Sequence, residues 1–283
     1  PYLDFFMREP ELRRRTYTII SRGEAQKILE AVHGIESISA TGLRKIVDGQ
    51  SILGTLYATD LRMLMIYLLN EWSDPVIGTV ELRKGGPEKK KNSKHTLLFG
   101  QGGALFKEDK LKSYLSRKEG RGVNWVLQPD EIKGPIMIEN PLENNFSESL
   151  AQKFAIEILE AETKIIPQYN DNKFRFIILV ETEGQLVEDL ANTFDVTNKN
   201  NIDILNKRMA QVIRNEIKSI IIKSQKQKAD VLGIGRNINM KYPRKFDKIK
   251  KDWRNKYSEL EYKILVTAQI KRLGMIQKGI GKF

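Results

Sequence analysis

The strongest periodic signal in this chain begins at Ile202, where apolar residues recur at the spacing of one helix face. The apolar positions run from Leu205 to Ile221, with lysine and arginine between them. This pattern predicts a long amphipathic helix with one buried face. The basic positions around its other face are Lys207, Arg208, Arg214, Lys218, Lys223 and Lys226.

Apolar and polar residues alternate in two runs before this helix, at 152–167 and 173–183. The turn Tyr169-Asn170-Asp171-Asn172 separates them, so the pattern predicts a long antiparallel hairpin. We expect the apolar face of the long helix to pack on this hairpin. Beyond the helix we expect a short helix near 230–239, a basic helix from Pro243 to about Trp253 and a closing strand at 259–272.

The N-terminal half has weaker but readable patterns. The β-branched run TYTIIS at 16–21 predicts a strand, and a helical pattern follows at 24–32. Leucine and methionine at helical spacing predict a second helix over about 55–72, which Asp74-Pro75 ends. Strands are expected at 76–82 and 96–106, on either side of the charged loop 83–94.

The order of these elements predicts an α+β fold in several domains, with mixed or antiparallel sheets that each pack with helices. The Asn-rich segment 139–149 is the best linker. We therefore expect residues 1–75 to be the remainder of an N-terminal α/β domain and residues 76–145 a middle, strand-rich domain. Residues 146–283 would form a C-terminal α+β domain with the long helix and a basic helical face.

Charge adds a functional hint, because the chain carries +12 and the segment 201–256 alone carries +11. Such confinement favours a docking face for an anionic partner or membrane, although a merely solvated face is the plainer alternative. The chain has no cysteine, so disulfides and thiolate sites are excluded within it. No apolar run approaches the roughly eighteen residues of a membrane span, since 61–69 is too short and contains Arg62.

Candidate catalytic chemistry is sparse. His33 and His95 stand in unlike contexts without metal-ligand spacing, and the glycines at 100–103 and 233–235 complete no phosphate-binding motif. No G-x-S-x-G elbow occurs. The carboxylate pairs Glu181/Glu183 and Glu259/Glu261 are typical of solvated strand faces. We therefore predict that the protein is not an enzyme and holds neither a metal nor a cofactor.

Two tryptophans, Trp125 and Trp253, are candidates for ligand stacking, but core anchoring is the alternative we favour. The basic segment raises the alternative of a nucleic-acid-binding module that uses residues 201–256. Against this, the segment lacks a helix-turn-helix, zinc-finger or ribonucleoprotein motif, and few aromatic residues stand among its charges. We therefore expect no nucleic-acid partner.

Three separated blocks in this chain resemble the Ger(x)C family of spore germination lipoproteins, the C subunits of nutrient germinant receptors. The first is Arg8 to Arg15 (REPELRRR), with Ser21-Arg22-Gly23 after the strand. The second is Gly102 to Leu111 (GGALFKEDKL), which leads to Gly122 and Trp125. The third is Ala229 to Gly235 (ADVLGIG), followed by Tyr242-Pro243 and Trp253.

The resemblance implies a three-domain α/β protein without known catalytic activity. It implies attachment to the outer face of the spore inner membrane through a lipidated (palmitate-bearing) N-terminal Cys, and action with integral membrane A- and B-type subunits in sporulating bacteria. This chain begins at Pro1 without such a Cys, a signal peptide or a lipobox. We therefore read it as an N-terminally truncated member, whose anchoring is inferred from the resemblance.

The charge pattern and the resemblance meet in the basic segment, which we predict to contact an anionic membrane surface or a partner subunit. The interaction residues we expect are Lys207, Arg214, Lys218, Lys245, Lys248, Lys250 and Lys251. A possible second interaction surface comprises Gly102, Gly103 and Trp125. The function expected is that of a non-enzymatic scaffold or interaction subunit of the germinant receptor, needed for nutrient-triggered germination.

Overall fold

A computed structural model describes residues 16–30, 39–49, 54–84, 96–139, 153–189 and 198–273. These residues belong to two units that are each discontinuous in sequence. The first unit draws on Pro1–Gln50, Thr55–Arg121 and Ile221–Glu259, and the second on Ser51–Gly54, Gly122–Ile220 and Leu260–Phe283. The three-domain division at residues 75 and 145 stays a prediction.

Helices and strands are both abundant, as the α+β prediction requires, and that fold class is confirmed. The described helices are α1 (Ala25–Glu30), α2 (Ser39–Asp48), α3 (Leu61–Leu69), α4 (Arg117–Leu127), α5 (Lys199–Gln227), α6 (Ile234–Lys241), α7 (Pro243–Phe246) and α8 (Trp253–Ser258). Short 3-10 turns lie at Pro129–Glu131 and Lys250–Asp252.

The first unit contains a mixed sheet. Its strands are β1 (Tyr17–Ser21), β2 (Thr59–Asp60), β3 (Val76–Lys84), β4 (Thr96–Gly100), β5 (Gly103–Lys107) and β6 (Lys110–Leu115). The order is β2-β1-β3-β5-β6, and β4 also pairs with β3. The pair β1 and β3 is parallel, whereas the other pairs are antiparallel.

Aromatic side chains fill much of the first unit's core. Phe246 and Trp253 are buried, and their ring centroids lie 5.3 Å apart with the rings edge to face. Trp72 adds a second edge contact to Phe246 at 5.1 Å. Tyr57 and Tyr257 are also fully buried. Edge-to-face pairs of this kind contribute beyond simple area burial, so these rings fix how α7 and α8 pack within the unit.

The prediction of a helix over 55–72 was wrong at its start, because α3 begins only at Leu61. Asp60 caps the helix, since its carboxylate accepts the N–H of Met63 at 2.7 Å. The residues before it are extended: Tyr57 donates its N–H to the carbonyl of Gly102, and Gly102 donates to Thr55. Leucine periodicity continued into this stretch, but pairing with a distant strand edge overrides it.

The basic helix predicted from Pro243 to about Trp253 is also not continuous. It is divided into the four-residue α7, the 3-10 turn Lys250–Asp252 and α8, which starts at Trp253. Phe246 and Trp253 are both buried, as they would also be on one face of a continuous helix, so the break is not required for their burial. Prediction of the helical content was therefore right, but prediction of one straight element was wrong.

The second unit contains a four-stranded sheet in the order β10-β9-β8-β7. Its strands are β7 (Pro135–Glu139), β8 (Lys153–Asn170), β9 (Lys173–Asp189) and β10 (Glu261–Leu273). The predicted hairpin is β8–β9, and the predicted closing strand is β10, which runs parallel to β9. Asp171 and Asn172 form the hairpin turn with φ of 49° and 60°, a conformation that Asp and Asn tolerate well.

Helix α5 packs on this sheet as its pattern predicted. Leu205, Met209, Ile213 and Ile217 are fully buried along one face. At Gly184 of β9 an added Cβ would lie only 3.3 Å from Cε of Met209, so the helix crosses the strand at close range. The amphipathic helix is therefore confirmed.

Helix α4 was not expected, because Gly120 and Gly122 disfavour a helix. Gly122 is needed for packing: an added Cβ would meet the backbone carbonyl of Glu216 in α5, with the carbonyl carbon 2.9 Å away. One turn further on, the indole Nε1 of Trp125 donates to the buried carboxylate of Glu216 at 3.0 Å. The absence of a side chain at 122 thus lets the two helices approach within hydrogen-bonding reach.

We predict that Gly122→Ala destabilises the protein by about 1–3 kcal/mol, because the added methyl group meets backbone that cannot rotate away. Urea unfolding followed by circular dichroism measures the change. Lys118→Ala, at an exposed position of the same helix, is the control and should stay within about 0.5 kcal/mol of the wild type. An equally small effect of Gly122→Ala would contradict the close helix approach.

Candidate interaction surface

Two buried aspartates, Asp74 and Asp230, bond reciprocally in the first unit. The N–H of Asp74 donates to the carbonyl of Asp230 at 2.9 Å, and the N–H of Asp230 donates to Oδ2 of Asp74 at 3.0 Å. Both residues are at most 1% exposed. This aspartate pair joins positions that lie 156 residues apart in the chain.

The carboxylate of Asp230 accepts three N–H groups. Oδ1 accepts from the backbone of Ile234 at 2.9 Å, and Oδ2 accepts from Gly235 at 2.7 Å and from Nε1 of Trp253 at 3.1 Å. Two of these donors open helix α6, where the helix dipole favours negative charge. Burial raises the pKa of Asp230 to about 7, although the N–H donors act in the opposite direction.

Asp74 anchors a different pair of groups. Its Oδ1 accepts the N–H of Glu108 at 2.7 Å and Nη2 of Arg254 at 3.1 Å. The same guanidinium reaches the carboxylate of Glu108 through Nη1 at 3.3 Å. The aspartate pair therefore fixes the turn between β5 and β6 and the start of α8, which makes it a structural centre of the first unit.

The third sequence block is organised around this centre. Gly233 adopts φ 67° before α6, and a Cβ at Gly235 would lie 2.6 Å from Nε1 of Trp253. Trp253 is 2% exposed and also donates Nε1 to the carbonyl of Trp72 at 3.1 Å. Trp253 is therefore a core residue. Gly233 and Gly235 have structural roles, in a turn and in close packing, which agrees with the absence of a complete phosphate-binding motif at 233–235.

A polar pocket of about 520 Å³ lies beside the aspartate pair. Its lining mixes both signs of charge: Glu71, Glu108, Asp109, Lys250, Lys251 and Arg254, together with Tyr67, Leu68, Asn70 and Ser73. Arg254 is shared with Asp74, so one wall of the pocket is held by structural bonds. The mixed charges give the pocket no single preferred sign of ligand.

The carboxylate pair Glu181/Glu183 lies in the second unit beside a pocket of about 530 Å³. In the β8–β9 register Glu181 is opposite Glu162 and Glu183 is opposite Glu160, so like charges face each other. Lysines relieve part of this repulsion: Lys164 pairs with Glu162 at 2.9 Å and Lys271 with Glu183 at 3.2 Å. This arrangement is a charged strand face with cross-strand ion pairs.

Among the residues that the structure describes, no group of three or more His, Cys, Asp or Glu side chains is arranged to hold a metal ion. His33 and His95 lie outside the described residues.

Three of the predicted basic interaction residues lie on α5 in the second unit. Lys207 and Lys218 are exposed, whereas Arg214 is half-buried and donates to Oε1 of Gln211 at 2.9 Å. They are separated by seven and four positions, so they lie along the helix on the side opposite its buried face.

The other four, Lys245, Lys248, Lys250 and Lys251, lie in the first unit around α7 and the following 3-10 turn. All are exposed except Lys250, which is half-buried and pairs with Asp247 at 3.0 Å. The seven residues thus divide between the two units, and their role in binding stays a prediction.

The second surface proposed from sequence does not lie on the outside of the structure. Trp125 has no exposed area, and Gly102 and Gly103 are buried as well. At Gly102 an added Cβ would meet the carbonyl of Leu115, so tight backbone packing accounts for this glycine. These three residues are structural positions in this conformation and present no area to a partner, which corrects the expectation.

Two protein-family models match the chain, and together they cover most of it. "Spore germination protein N-terminal domain" matches residues 1–82, and "Spore germination B3/ GerAC like, C-terminal" matches residues 101–274. The chain belongs to the GerAC-like family of spore germination proteins. The resemblance read from the three sequence blocks is thereby confirmed.

Curated relatives of this GerAC-like protein come from Bacillus subtilis (strain 168). Spore germination protein KC is 22% identical over 96% of this chain and 67% of its own length. Putative spore germination protein YfkR is 24% identical over 99% and 69%, and spore germination protein B3 is 23% identical over 98% and 70%. The chain thus spans about two thirds of each of these relatives.

A solved structure, the crystal structure of the GerBC protein, matches with a TM-score of 0.68. The match is 22% identical and covers 95% of this chain and 73% of the other. At this identity the match shows the shared fold. In the described part of the GerAC-like chain, no helix is both long enough and apolar enough to cross a membrane.

Sequence reasoning missed two features that organise the GerAC-like fold. The start of α4 carried a local signal, because Ser116 and Glu119 form a capping box: Glu119 accepts the N–H of Ser116 at 2.7 Å, and Ser116 accepts that of Glu119 at 3.3 Å. Asp74 carried no such signal. An Asp before a proline is typical of a turn, and its partner at position 230 is remote in sequence.

We predict that Asp230 makes the stability of the protein depend on pH. The unfolded side chain titrates near 3.8 and the folded one near 7, so between these values the folded state holds a proton that the unfolded state has lost. The free energy of unfolding should therefore fall as pH rises through this window, by on the order of 1 kcal/mol per pH unit at most.

Urea unfolding of the wild type and of Asp230→Asn at pH 5, 6, 7 and 8 measures this dependence. The variant should be less stable at every pH, because its amide cannot accept all three N–H groups, but it should lack the Asp230 contribution to the slope. The difference in stability between the two proteins should therefore narrow as pH rises to 7. Parallel curves would contradict a raised pKa at Asp230.

Proposed function

We propose that this protein is a non-enzymatic subunit of a spore germinant receptor complex, needed for nutrient-triggered germination, and that it acts as a scaffold or interaction protein. The observation that carries the proposal is the match of both family models in chain order, with relatives named as spore germination proteins on nearly its full length. The comparisons give no support to the nucleic-acid alternative.

A structural role for the polar groups supports the non-enzymatic part of the proposal. Among the described residues, the carboxyl group with the most perturbed pKa is that of Asp230, which is fully buried and accepts two backbone N–H groups and an indole N–H. A catalytic acid or base needs access to substrate, and this group has none. Perturbed pKa values arise in structural networks as well as in active sites, and the geometry here is structural.

We further propose that the protein works at the outer face of the spore inner membrane, anchored by a lipid on an N-terminal Cys that the resemblance implies. Its partners would be the integral membrane A- and B-type subunits of the receptor. A single acyl chain holds a protein to a bilayer only marginally, so a second contact is needed for stable attachment. Lysine and arginine near anionic headgroups contribute roughly 1 kcal/mol each.

The basic residues of 201–256 are the candidates for this second contact. In the competing version, the same lysines bind an acidic segment of a partner subunit. The two versions can be separated without a partner. Only the membrane version requires the isolated protein to bind anionic lipid in preference to neutral lipid.

We predict that spores of the source organism that lack this protein lose or slow their response to at least one nutrient. Expression of the wild-type chain in its natural, anchored form should restore the response. Loss of optical density after nutrient addition measures germination. An unchanged response to every nutrient that wild-type spores recognise would contradict the proposed function.

We predict that the protein sediments with vesicles containing anionic lipid and not with neutral vesicles. Binding should weaken as salt rises from about 50 to about 500 mM, because the Debye length shortens and the lipid charge is screened. Replacing all seven predicted basic residues by glutamine should remove the binding. Retention of binding by that variant at low salt would exclude the basic residues as the membrane contact.

A further inference from the structure

Met240 is an exposed apolar residue in the middle of the basic segment. It lies at the end of α6, in the first unit, and 72% of its side chain is exposed. The other apolar residues of this helix, Ile234 and Ile238, are fully buried. Met240 therefore does not belong to the buried face of α6. A single exposed apolar residue is ordinary on a protein surface, so its significance depends on the residues around it.

Cations surround this methionine in sequence on both sides. Between Arg236 and Lys251 the chain has seven lysines and arginines and one acid, Asp247. Asp247 is engaged by Lys250. The exposed cations of this stretch are Arg236, Lys241, Arg244, Lys245, Lys248 and Lys251. The stretch thus offers a high density of exposed positive charge next to an exposed apolar side chain.

The aromatic ring of Tyr242 lies two residues after Met240 in the chain. The ammonium groups of Lys241 and Lys245 lie 5.5 and 6.0 Å from the ring centroid of Tyr242, within the range of cation–π attraction. Tyr242 is half-buried, and Pro243 after it is exposed. Tyrosine and long basic side chains are typical of membrane–water interfaces, because each has an apolar body and a polar tip.

We propose that the segment Arg236–Lys251 is the membrane-contacting site of this protein, with Met240 inserted among the lipid headgroups and the surrounding cations on lipid phosphates. The inference deepens the proposed function and rests on its membrane version. It assigns the contact to the first unit and removes it from Lys207, Arg214 and Lys218 of α5.

The contrast with α5 supports this assignment. Helix α5 also carries exposed lysines, and its exposed large apolar side chain, Ile222, lies one turn beyond Lys218. Ile222 is 49% exposed against 72% for Met240, and residues 199–220, which hold Lys207 and Arg214, expose no large apolar side chain. Charge without an apolar anchor is equally suited to water or to an acidic protein. Charge around an exposed apolar tip is suited to a lipid surface, where phosphates and acyl chains meet within a few ångströms of depth.

The test uses the chain with vesicles of phosphatidylcholine alone or mixed with phosphatidylglycerol. The triple variant Lys241→Gln, Arg244→Gln, Lys245→Gln is compared with the matched control Lys207→Gln, Arg214→Gln, Lys218→Gln, which removes the same charge from α5. We expect the first triple to bind anionic vesicles at least about tenfold more weakly, and the control to stay within about twofold of the wild type.

The apolar part of the site is tested separately. Met240→Asp should weaken binding at least about tenfold, whereas Leu29→Asp, at an apolar position of α1 that is 59% exposed, should leave it unchanged. Met240→Trp should strengthen binding about threefold or more. Circular dichroism confirms that each variant is folded.

The outcomes separate the inference from the function on which it rests. If the wild type binds neither kind of vesicle, the membrane version of the proposed function fails. A second outcome is that the wild type binds anionic vesicles, the triple variant in α5 loses this binding, and the triple variant at Lys241, Arg244 and Lys245 keeps it. That outcome overturns only this inference. Equal loss in both triples with no effect at Met240 would likewise overturn it, because binding would then follow total charge.

Discussion

The reciprocal bond between Asp74 and Asp230 is the constraint on which the first unit depends. Each backbone N–H of the pair donates to the other residue, and the two carboxylates then bind α6, Trp253, Arg254 and the turn at Glu108. Burying a carboxylate is unfavourable unless its oxygens are hydrogen-bonded, and here every bond comes from a group that also needs a partner. The cluster therefore fixes several segments at once, and loss of one member would leave the others unsatisfied.

The second unit uses the same principle with different residues. The buried carboxylate of Glu216 accepts the indole N–H of Trp125, and Gly122 allows α4 and α5 to approach closely enough for that bond. The hydroxyl of Thr163 then donates to the carbonyl of Trp125 at 2.6 Å, which connects α4 to strand β8. In both units a tryptophan N–H satisfies a buried acid, so each of these tryptophans serves as a hydrogen-bond donor as well as an apolar anchor.

Elements whose signal is local could be read from the sequence. The hairpin, α5 and β10 follow from periodicity, and their apolar faces are buried as expected. The start of α3 could not be read, because the extended residues before it bond to Gly102, which lies beyond strand β3. The aspartate pair could not be read either, since hydrophobic periodicity carries no information about which remote polar groups meet. The charge maximum was visible, but its division between two units was not.

That division decides how the charge excess is to be understood. Of the sixteen lysines and arginines at 201–256, some are used inside the structure: Lys223 binds Glu119 and the carbonyl of Tyr114, and Arg254 binds Asp74 and Glu108. These side chains stabilise the fold, so the net charge of a segment overstates what it offers to a partner. Position, exposure and an adjacent apolar side chain are better guides than the count. By these criteria the chain around Met240, which is 72% exposed, is a better candidate than α5, whose exposed apolar side chain Ile222 is 49% exposed, although both segments are rich in lysine and arginine.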